Sequence, residues 1–176
     1  MTHHFQKFGV IGGGAWGTAL AQSLASAGRE VTLWAFETEC VDAIHIRHEN
    51  TLYLPGVPLH PSITATSDFA KLSEVDAVLA VPPAQHMRAT LAGFAAHAKD
   101  GLPIVLCSKG IEHSTRKFMA GVLTDVIPSA RGAVLSGPSF AIDVAKGLPT
   151  AVTLACEDTV LGQALCDAIA APAFRP

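Results

Sequence analysis

A glycine-rich junction constrains the fold of this chain more than any other feature of its sequence. Gly12, Gly14 and Gly17 have the spacing GxGxxG in GGGAWG, directly after the apolar run 8–11. The first glycine of this spacing permits a tight turn, the second lets the backbone approach a pyrophosphate, and the third lets helix and strand pack closely. Phosphates then lie at the helix N-terminus, where free N–H groups and the helix dipole attract negative charge. The spacing therefore predicts dinucleotide binding, and the alternative is a turn with a structural role alone.

Short apolar runs alternate with helical patterns along the whole chain. The runs at 8–11, 30–35, 76–81, 103–108, 133–137 and 150–156 are typical of buried strands. Helical spacing of apolar residues follows at 16–27 and at 87–94, whereas the prolines and glycine of NTLYLPGVPLHPSI predict a loop across the surface. The pattern predicts a Rossmann-type doubly wound α/β fold, with a mainly parallel sheet and helices on both faces.

Composition narrows the class of protein further. Hydrophobic residues make up 49% of the chain and charged residues 15%, with a formal net charge of -3. The scattered cations form no basic stripe, so we expect no nucleic-acid partner. The polar start MTHHFQK has no leader pattern and no apolar run is long enough for a bilayer, so we predict a cytoplasmic protein without a membrane partner.

Cysteines and histidines give no support for a metal site. The four cysteines have neither CxxC pairs nor zinc-finger spacing, and the eight histidines fall mostly in polar or loop segments. We therefore predict solvated histidines and no metal. At 176 residues the chain is expected to form one domain, 1–176, and its end at AFRP, just after a helical pattern, indicates a cut.

The residues that directly follow the strands are the candidate site residues, because ligands of such folds lie across the carboxyl ends of the strands. Val81, Pro82 and Pro83 end one strand, Ser108–Gly110 follow another, and Ser136–Ser139 follow a third. Lys109 is the cation among them and is suited to a substrate oxygen or phosphate. The alternatives are a solvated surface role for Lys109 and a helix N-cap role for Ser139.

Several segments, in order, resemble the N-terminal domain of bacterial NAD(P)-dependent glycerol-3-phosphate dehydrogenases. They are GGGAWGTALA, NTLYLPG, ATSD, SKGIE, and LSGPSFA followed by GLPTA, and together they span nearly the whole chain. The resemblance implies hydride transfer between NAD(P)H and dihydroxyacetone phosphate, giving sn-glycerol 3-phosphate, a phospholipid precursor. The alternatives are a redox-sensing or other non-catalytic NAD(P)-binding module, and another two-domain dehydrogenase such as a 3-hydroxyacid or ketopantoate reductase type.

The resemblance also implies roles for individual residues. Ala15 and Trp16 would lie against the cofactor phosphates, Pro82 and Ala141 close to the cofactor, and Lys109 against both substrate and nicotinamide. Gly137 and Ser139 would contact the phosphate-bearing substrate. A helical second domain would supply the general-base lysine and an Arg-Asn pair, so no catalytic residue is assigned here and residues 1–176 alone are expected to be inactive. We expect the full-length protein to form a homodimer.

The cofactor is NAD or NADP, and two residues after the second strand favour NAD. Phe36 stands where many members of the family have Arg or His, and it is suited to stack on adenine. Glu37, 20 positions after Gly17, is placed to accept a hydrogen bond from the ribose 2′-hydroxyl and to repel a 2′-phosphate. Glu37 has the alternative role of a first-turn helix residue, and Arg29 and Arg47 are nearby cations that would suit NADP instead.

Overall fold

Strands and helices alternate along the chain as the sequence predicts. The computed structural model describes residues 5–176. The strands are β1 (Lys7–Ile11), β2 (Glu30–Trp34), β3 (Ile63–Thr66), β4 (Ala77–Ala80), β5 (Pro103–Leu106), β6 (Arg131–Ser136), β7 (Thr150–Ala151), β8 (Thr153–Cys156) and β9 (Phe174–Arg175). The α-helices are α1 (Ala15–Ser26), α2 (Thr38–Arg47), α3 (Met87–Phe94), α4 (Met119–Val126), α5 (Ala141–Ala145) and α6 (Thr159–Ile169). Short 3₁₀ turns at Phe69–Leu72, Ala84–His86 and Ala95–His97 complete the connections.

A seven-stranded sheet in the order β3-β2-β1-β4-β5-β6-β8 forms the centre of the molecule. All its pairings are parallel except β6 with β8. The chain runs outward from β1 to β3 and then crosses back to place β4 on the other side of β1. The order therefore reverses between β1 and β4, and folds of this kind bind ligands at the carboxyl ends of the strands beside such a point.

Helices cover both faces of the sheet, which confirms the predicted doubly wound fold. On one face, Phe8 and Val10 of β1 pack with buried residues of α1, α2, α5 and α6. On the other face, Ile11 packs with buried residues of α3 and α4. Because alternate residues of a strand point to opposite faces, β1 contributes to both cores and is buried from Phe8 to Ile11.

Two parts of the sheet differ from the sequence prediction. Ile63–Thr66 forms the edge strand β3, which was missed because it has four residues and follows a proline-rich loop. The predicted strand 150–156 is two strands, of which β7 pairs with β9 and β8 pairs antiparallel with β6. Between β6 and β8 the chain forms only the five-residue helix α5 and the short strand β7, and it returns beside β6 in the opposite direction.

The loop predicted over 50–63 is confirmed as far as Ser62, whereas the prediction for the Pro82-Pro83 pair needs correction. Leu54, Val57 and Leu59 of the loop are buried in the core, so the loop packs onto the body of the protein. Pro83 is extended, with φ -53° and ψ 144°, and the α-helix begins only at Met87. Pro82 precedes a proline and therefore avoids the helical region, and Ala84–His86 form a 3₁₀ turn before the α-helix.

Three further observations concern the histidines, possible metal ligands and membrane-spanning helices. None of the six histidines between residues 5 and 176 is buried, as predicted; His3 and His4 lie outside the described residues. The same range contains no group of three or more His, Cys, Asp or Glu side chains that could hold a metal ion. No helix among those residues is both long enough and apolar enough to span a membrane.

Candidate functional site

A deep groove lies at the carboxyl ends of the strands, where the strand order reverses. Its volume is about 1030 Å³, within reach of the 300–1,000 Å³ range common for cofactor sites. The glycine turn after β1 forms its floor, the connection after β2 forms one end, and the turns after β4 and β5 form the opposite wall. The groove therefore extends across the ends of β2, β1, β4 and β5.

The glycine turn has the geometry that the sequence predicts for its three glycines. Gly12 has φ +124°, a conformation that favours glycine. A Cβ on Gly17 would lie 1.9 Å from the Gly12 oxygen, so only glycine permits this approach of α1 to β1. A Cβ on Gly14 would meet no protein atom within 4 Å. Gly14 immediately precedes α1, and its open surface at the helix N-terminus fits the backbone approach of a phosphate group.

Buried polar side chains form hydrogen bonds to the backbone of the glycine turn. Asn50 is fully buried, and its Nδ2 donates to the Gly13 oxygen at 2.7 Å and to Thr18 Oγ1 at 2.8 Å. Cys40 Sγ lies 3.7 Å from the same Gly13 oxygen. Burial and, to a smaller extent, the charge of Glu37 raise the pKa of the Cys40 thiol to about 11. Asn50 was missed at the sequence level, because a contact across 37 residues leaves no local pattern.

Aromatic side chains line the end of the groove that follows β2. Phe36 is 80% exposed, and Trp34 stacks on Phe69 with ring centroids 4.2 Å apart. Tyr53 Oη donates to Glu37 Oε1 at 2.8 Å. Glu37 is the N-cap residue of α2, yet its side chain makes no capping hydrogen bond. Its carboxylate therefore lies at the groove and is not used by the helix.

The two arginines considered as alternative phosphate ligands lie elsewhere. Arg29 Nε donates to the Ala168 oxygen at 3.0 Å, and Arg29 Nη1 to Gln6 Oε1. Arg47 Nη2 donates to Thr51 Oγ1 at 3.0 Å. Neither arginine is among the residues that line the groove. The end that follows β2 thus presents a carboxylate and aromatic rings in the part of the chain that the structure describes.

Lys109 forms the polar wall opposite the glycine turn. It follows β5, and its Nζ donates to the Gly137 oxygen after β6 at 2.9 Å. An ammonium has three donors, so two remain for a ligand. Lys109 is the only Lys or Arg on the groove wall within 5–176. The Ser108 hydroxyl donates to the Pro82 oxygen, which joins the turns after β5 and β4. The predicted convergence of the three strand ends is confirmed.

The turn that presents Lys109 is held by side chains from the β4–α3 connection and from α3. Gln85 bonds both the Ile111 oxygen and the His113 N–H, at 2.8 and 3.0 Å. Arg88 makes two bonds of 2.9 Å to the carboxylate of Glu112, the last residue of SKGIE. Hydrogen bonds from Arg88, and then from Thr115, lower the pKa of the Glu112 carboxyl below its usual range. Glu112 thus stays ionised and fixes the turn, a role that its place in the motif did not reveal.

The structure brings nearly all the predicted site residues to one groove. The predicted residues that line it are Gly12, Gly14, Ala15, Trp16, Gly17, Phe36, Glu37, Pro82, Lys109, Ser139 and Ala141. Gly137 does not line the groove, but its oxygen accepts from Lys109, and its Cα is so close to Val152 that a Cβ would lie 2.9 Å away. Ser139 is not a helix cap, because α5 is capped at Phe140. The assignments of these residues to cofactor and substrate stay predictions.

The fold and the groove define a Rossmann-type dinucleotide-binding domain. Residues 7–161 match the family described as NAD-dependent glycerol-3-phosphate dehydrogenase N-terminus. This match covers most of the chain, so the chain belongs to the family of glycerol-3-phosphate dehydrogenases and not to the ketopantoate reductase type considered as an alternative.

Individual relatives and a solved structure agree with this assignment. The chain is 60% identical over 176 residues to a glycerol-3-phosphate dehydrogenase [NAD(P)+] of Hyphomonas neptunium, covering 100% of this chain and 52% of the relative. It is 58% identical over 172 residues to that of Maricaulis maris, covering 98% and 52%. The crystal structure of glycerol-3-phosphate dehydrogenase from Coxiella burnetii matches with a TM-score of 0.90 and 31% identity, covering 97% and 53%. The chain thus spans about half the length of these proteins.

Substitutions at Gly17 and Gly14 should have different effects, the first on stability and the second on ligand binding. Gly17→Ala places a methyl group against the Gly12 oxygen and should destabilise the chain by about 1–3 kcal/mol or more. Gly14→Ala meets no protein atom, so its stability should stay within about 1 kcal/mol of wild type. It should nevertheless weaken dinucleotide binding at least tenfold, because the methyl group occupies the surface of phosphate approach. Thermal unfolding and calorimetry with NADH measure both effects; NADH affinity unchanged by Gly14→Ala would contradict the assigned approach.

Proposed function

We propose that this chain is the dinucleotide-binding half of a glycerol-3-phosphate dehydrogenase. The full protein would transfer a hydride between NAD(P)H and C2 of dihydroxyacetone phosphate, giving sn-glycerol 3-phosphate for phospholipid synthesis. The observation that supports this most directly is the position of the Lys109 ammonium. It lies on the wall of the groove opposite an anion-binding glycine turn, where the nicotinamide end of a dinucleotide and a substrate would meet.

The groove residues fit an extended dinucleotide. Gly14, Ala15 and Trp16 would hold the pyrophosphate at the start of α1, because the first-turn N–H groups of a helix have no partner within the helix. Phe36 and Glu37 would contact the adenosine, and Pro82 and Ala141 would flank the rest of the cofactor. When bound, the nicotinamide supplies or accepts the hydride. The protein contributes orientation and exclusion of water.

Lys109 would act on the substrate through its charge. Its bond to the Gly137 oxygen holds the ammonium at the groove, and its other two donors would contact the carbonyl oxygen or the phosphate of the substrate. Ser139, on the same wall, would donate to the same substrate. A positive charge near the carbonyl oxygen favours the transition state, since negative charge develops there as hydride arrives at C2.

The proposal extends to the rest of the protein. Residues 1–176 form one dinucleotide-binding domain, and a helical second domain supplies the general-base lysine and an Arg-Asn pair for the substrate phosphate. The full-length protein forms a homodimer in the cytoplasm. The four free cysteines, Cys40, Cys107, Cys156 and Cys166, support a reducing compartment.

Residues 1–176 should bind NADH but catalyse no hydride transfer, because the general base lies outside them. Calorimetry with NADH measures binding, and the loss of nicotinamide absorbance with dihydroxyacetone phosphate measures turnover. Gly14→Ala serves as the control with impaired binding. Turnover by residues 1–176 would contradict the need for a second domain. A lack of NADH binding at millimolar concentration would contradict the dinucleotide site, and binding combined with an inactive full-length protein would favour the redox-sensing alternative.

Lys109→Ala in the full-length protein should reduce kcat/KM about tenfold to more than a hundredfold. Hydrogen bonds to charged groups contribute about 1.5–3 kcal/mol, which corresponds to this range of rates. Lys99→Ala is the matched control, because Lys99 pairs with the exposed Glu74 and does not line the groove. Steady-state kinetics and thermal unfolding of both variants give the result. An unchanged kcat/KM in Lys109→Ala would assign Lys109 to the solvated surface.

NADH should be preferred over NADPH, because the adenosine end of the groove presents Phe36 and the Glu37 carboxylate. Phe36→Arg should move the preference toward NADPH by adding a cation beside the 2′-phosphate. Ile46→Arg adds the same charge at a residue that is 78% exposed and lies away from the groove. The ratio of kcat/KM values for the two cofactors is the measurement. A wild-type preference for NADPH of tenfold, about 1.4 kcal/mol, would contradict the prediction.

A further inference from the structure

A tyrosine from the loop after α2 contacts the carboxylate at the adenosine end of the groove. Tyr53 Oη donates to Glu37 Oε1 at 2.8 Å, and both residues line the groove. Because the phenol proton is shared with a carboxylate, this bond raises the pKa of Tyr53 above its ordinary value. Tyr53 has no role in the proposed function as described so far.

The position of Tyr53 is fixed by the same asparagine that supports the glycine turn. The Tyr53 N–H donates to Asn50 Oδ1 at 3.1 Å, while Asn50 Nδ2 holds the Gly13 oxygen at 2.7 Å. The next residue, Leu54, is 4% exposed, and its backbone N–H donates to the backbone oxygen of Asn50 at 2.9 Å. The backbone that carries Tyr53 is thus tied to the phosphate-binding turn.

Without Tyr53, the Glu37 side chain has little to hold it. It makes no capping hydrogen bond to α2, and no ion pair within 5–176 includes it. A glutamate side chain loses rotamer entropy when it is ordered. The bond from Tyr53 orders the carboxylate before a ligand arrives and occupies Oε1, so that Oε2 remains to accept from a ligand hydroxyl.

We propose that Tyr53 is a specificity-determining positioning residue for the dinucleotide. Its hydroxyl holds the Glu37 carboxylate where it accepts a hydrogen bond from the ribose 2′-hydroxyl of NAD and repels the 2′-phosphate of NADP. This inference rests on the proposed dinucleotide site. It adds that discrimination depends on the 50–54 loop as well as on the residues directly after β2.

Tyr53→Phe tests the proposal in the 176-residue chain itself, because it removes the hydroxyl and keeps the ring. The dissociation constants of NADH and NADPH are measured by calorimetry and by energy transfer to the nicotinamide from Trp16 and Trp34, which both line the groove. We expect Tyr53→Phe to weaken NADH binding about fivefold to tenfold and to leave NADPH binding unchanged or stronger. The ratio of the NADPH dissociation constant to the NADH dissociation constant should therefore fall by about fivefold or more.

Glu37→Gln distinguishes an effect of Tyr53 that acts through Glu37 from a merely structural role of Tyr53. It should abolish the preference for NADH, and Tyr53→Phe added to Glu37→Gln should cause no further change in the ratio. Equal weakening of both cofactors by Tyr53→Phe would overturn the proposal, as would an unchanged ratio. An effect of Tyr53→Phe that persists in the Glu37→Gln background would also overturn it. Wild-type chain that binds neither dinucleotide would overturn the proposed function, and the inference with it.

Discussion

The close approach of α1 to β1 is the constraint on which the rest of the structure depends. A side chain at Gly17 would collide with the Gly12 oxygen, so the helix can begin this close to the strand only with glycine there. That approach sets the N-terminus of α1 at the reversal of strand order, and it places Leu20 and Leu24 against the core beneath. The open surface at the start of α1 and the packing of α1 on the core therefore both depend on this contact. A change in the contact would disturb both, whereas a Cβ at Gly14 would contact no protein atom within 4 Å.

The elements predicted from the sequence are those whose signals are local. Strands buried on both faces give continuous apolar runs, and this is why β1, β4 and β5 were found. The edge strand β3 has no such run, and the antiparallel pairing of β8 with β6 has no periodic signal in the sequence. The start of the helix after β4 is also not predicted correctly, since the sequence predicts Pro82-Pro83 in its first turn and the α-helix begins at Met87.

The same distinction applies to the candidate site. Lys109, Ser139 and the glycines were predicted because each follows a strand directly, and the parallel sheet brings strand ends together. Asn50, Tyr53 and Arg88 were missed because they act across 16 to 37 residues on groups that others present. These side chains make ordinary hydrogen bonds, and only the folded structure shows which groups they orient. Residues that directly follow the strands thus face the groove, while the residues that orient them come from the loop after α2 and from α3.

The cysteine beneath the glycine turn has a further consequence. Burial raises the pKa of the Cys40 thiol to about 11, so the side chain is protonated at neutral pH, and it is fully buried. Alkylating reagents attack the thiolate, so Cys40 reacts only in molecules whose turn has opened. Its rate of modification is thus a gauge of local unfolding at the glycine turn.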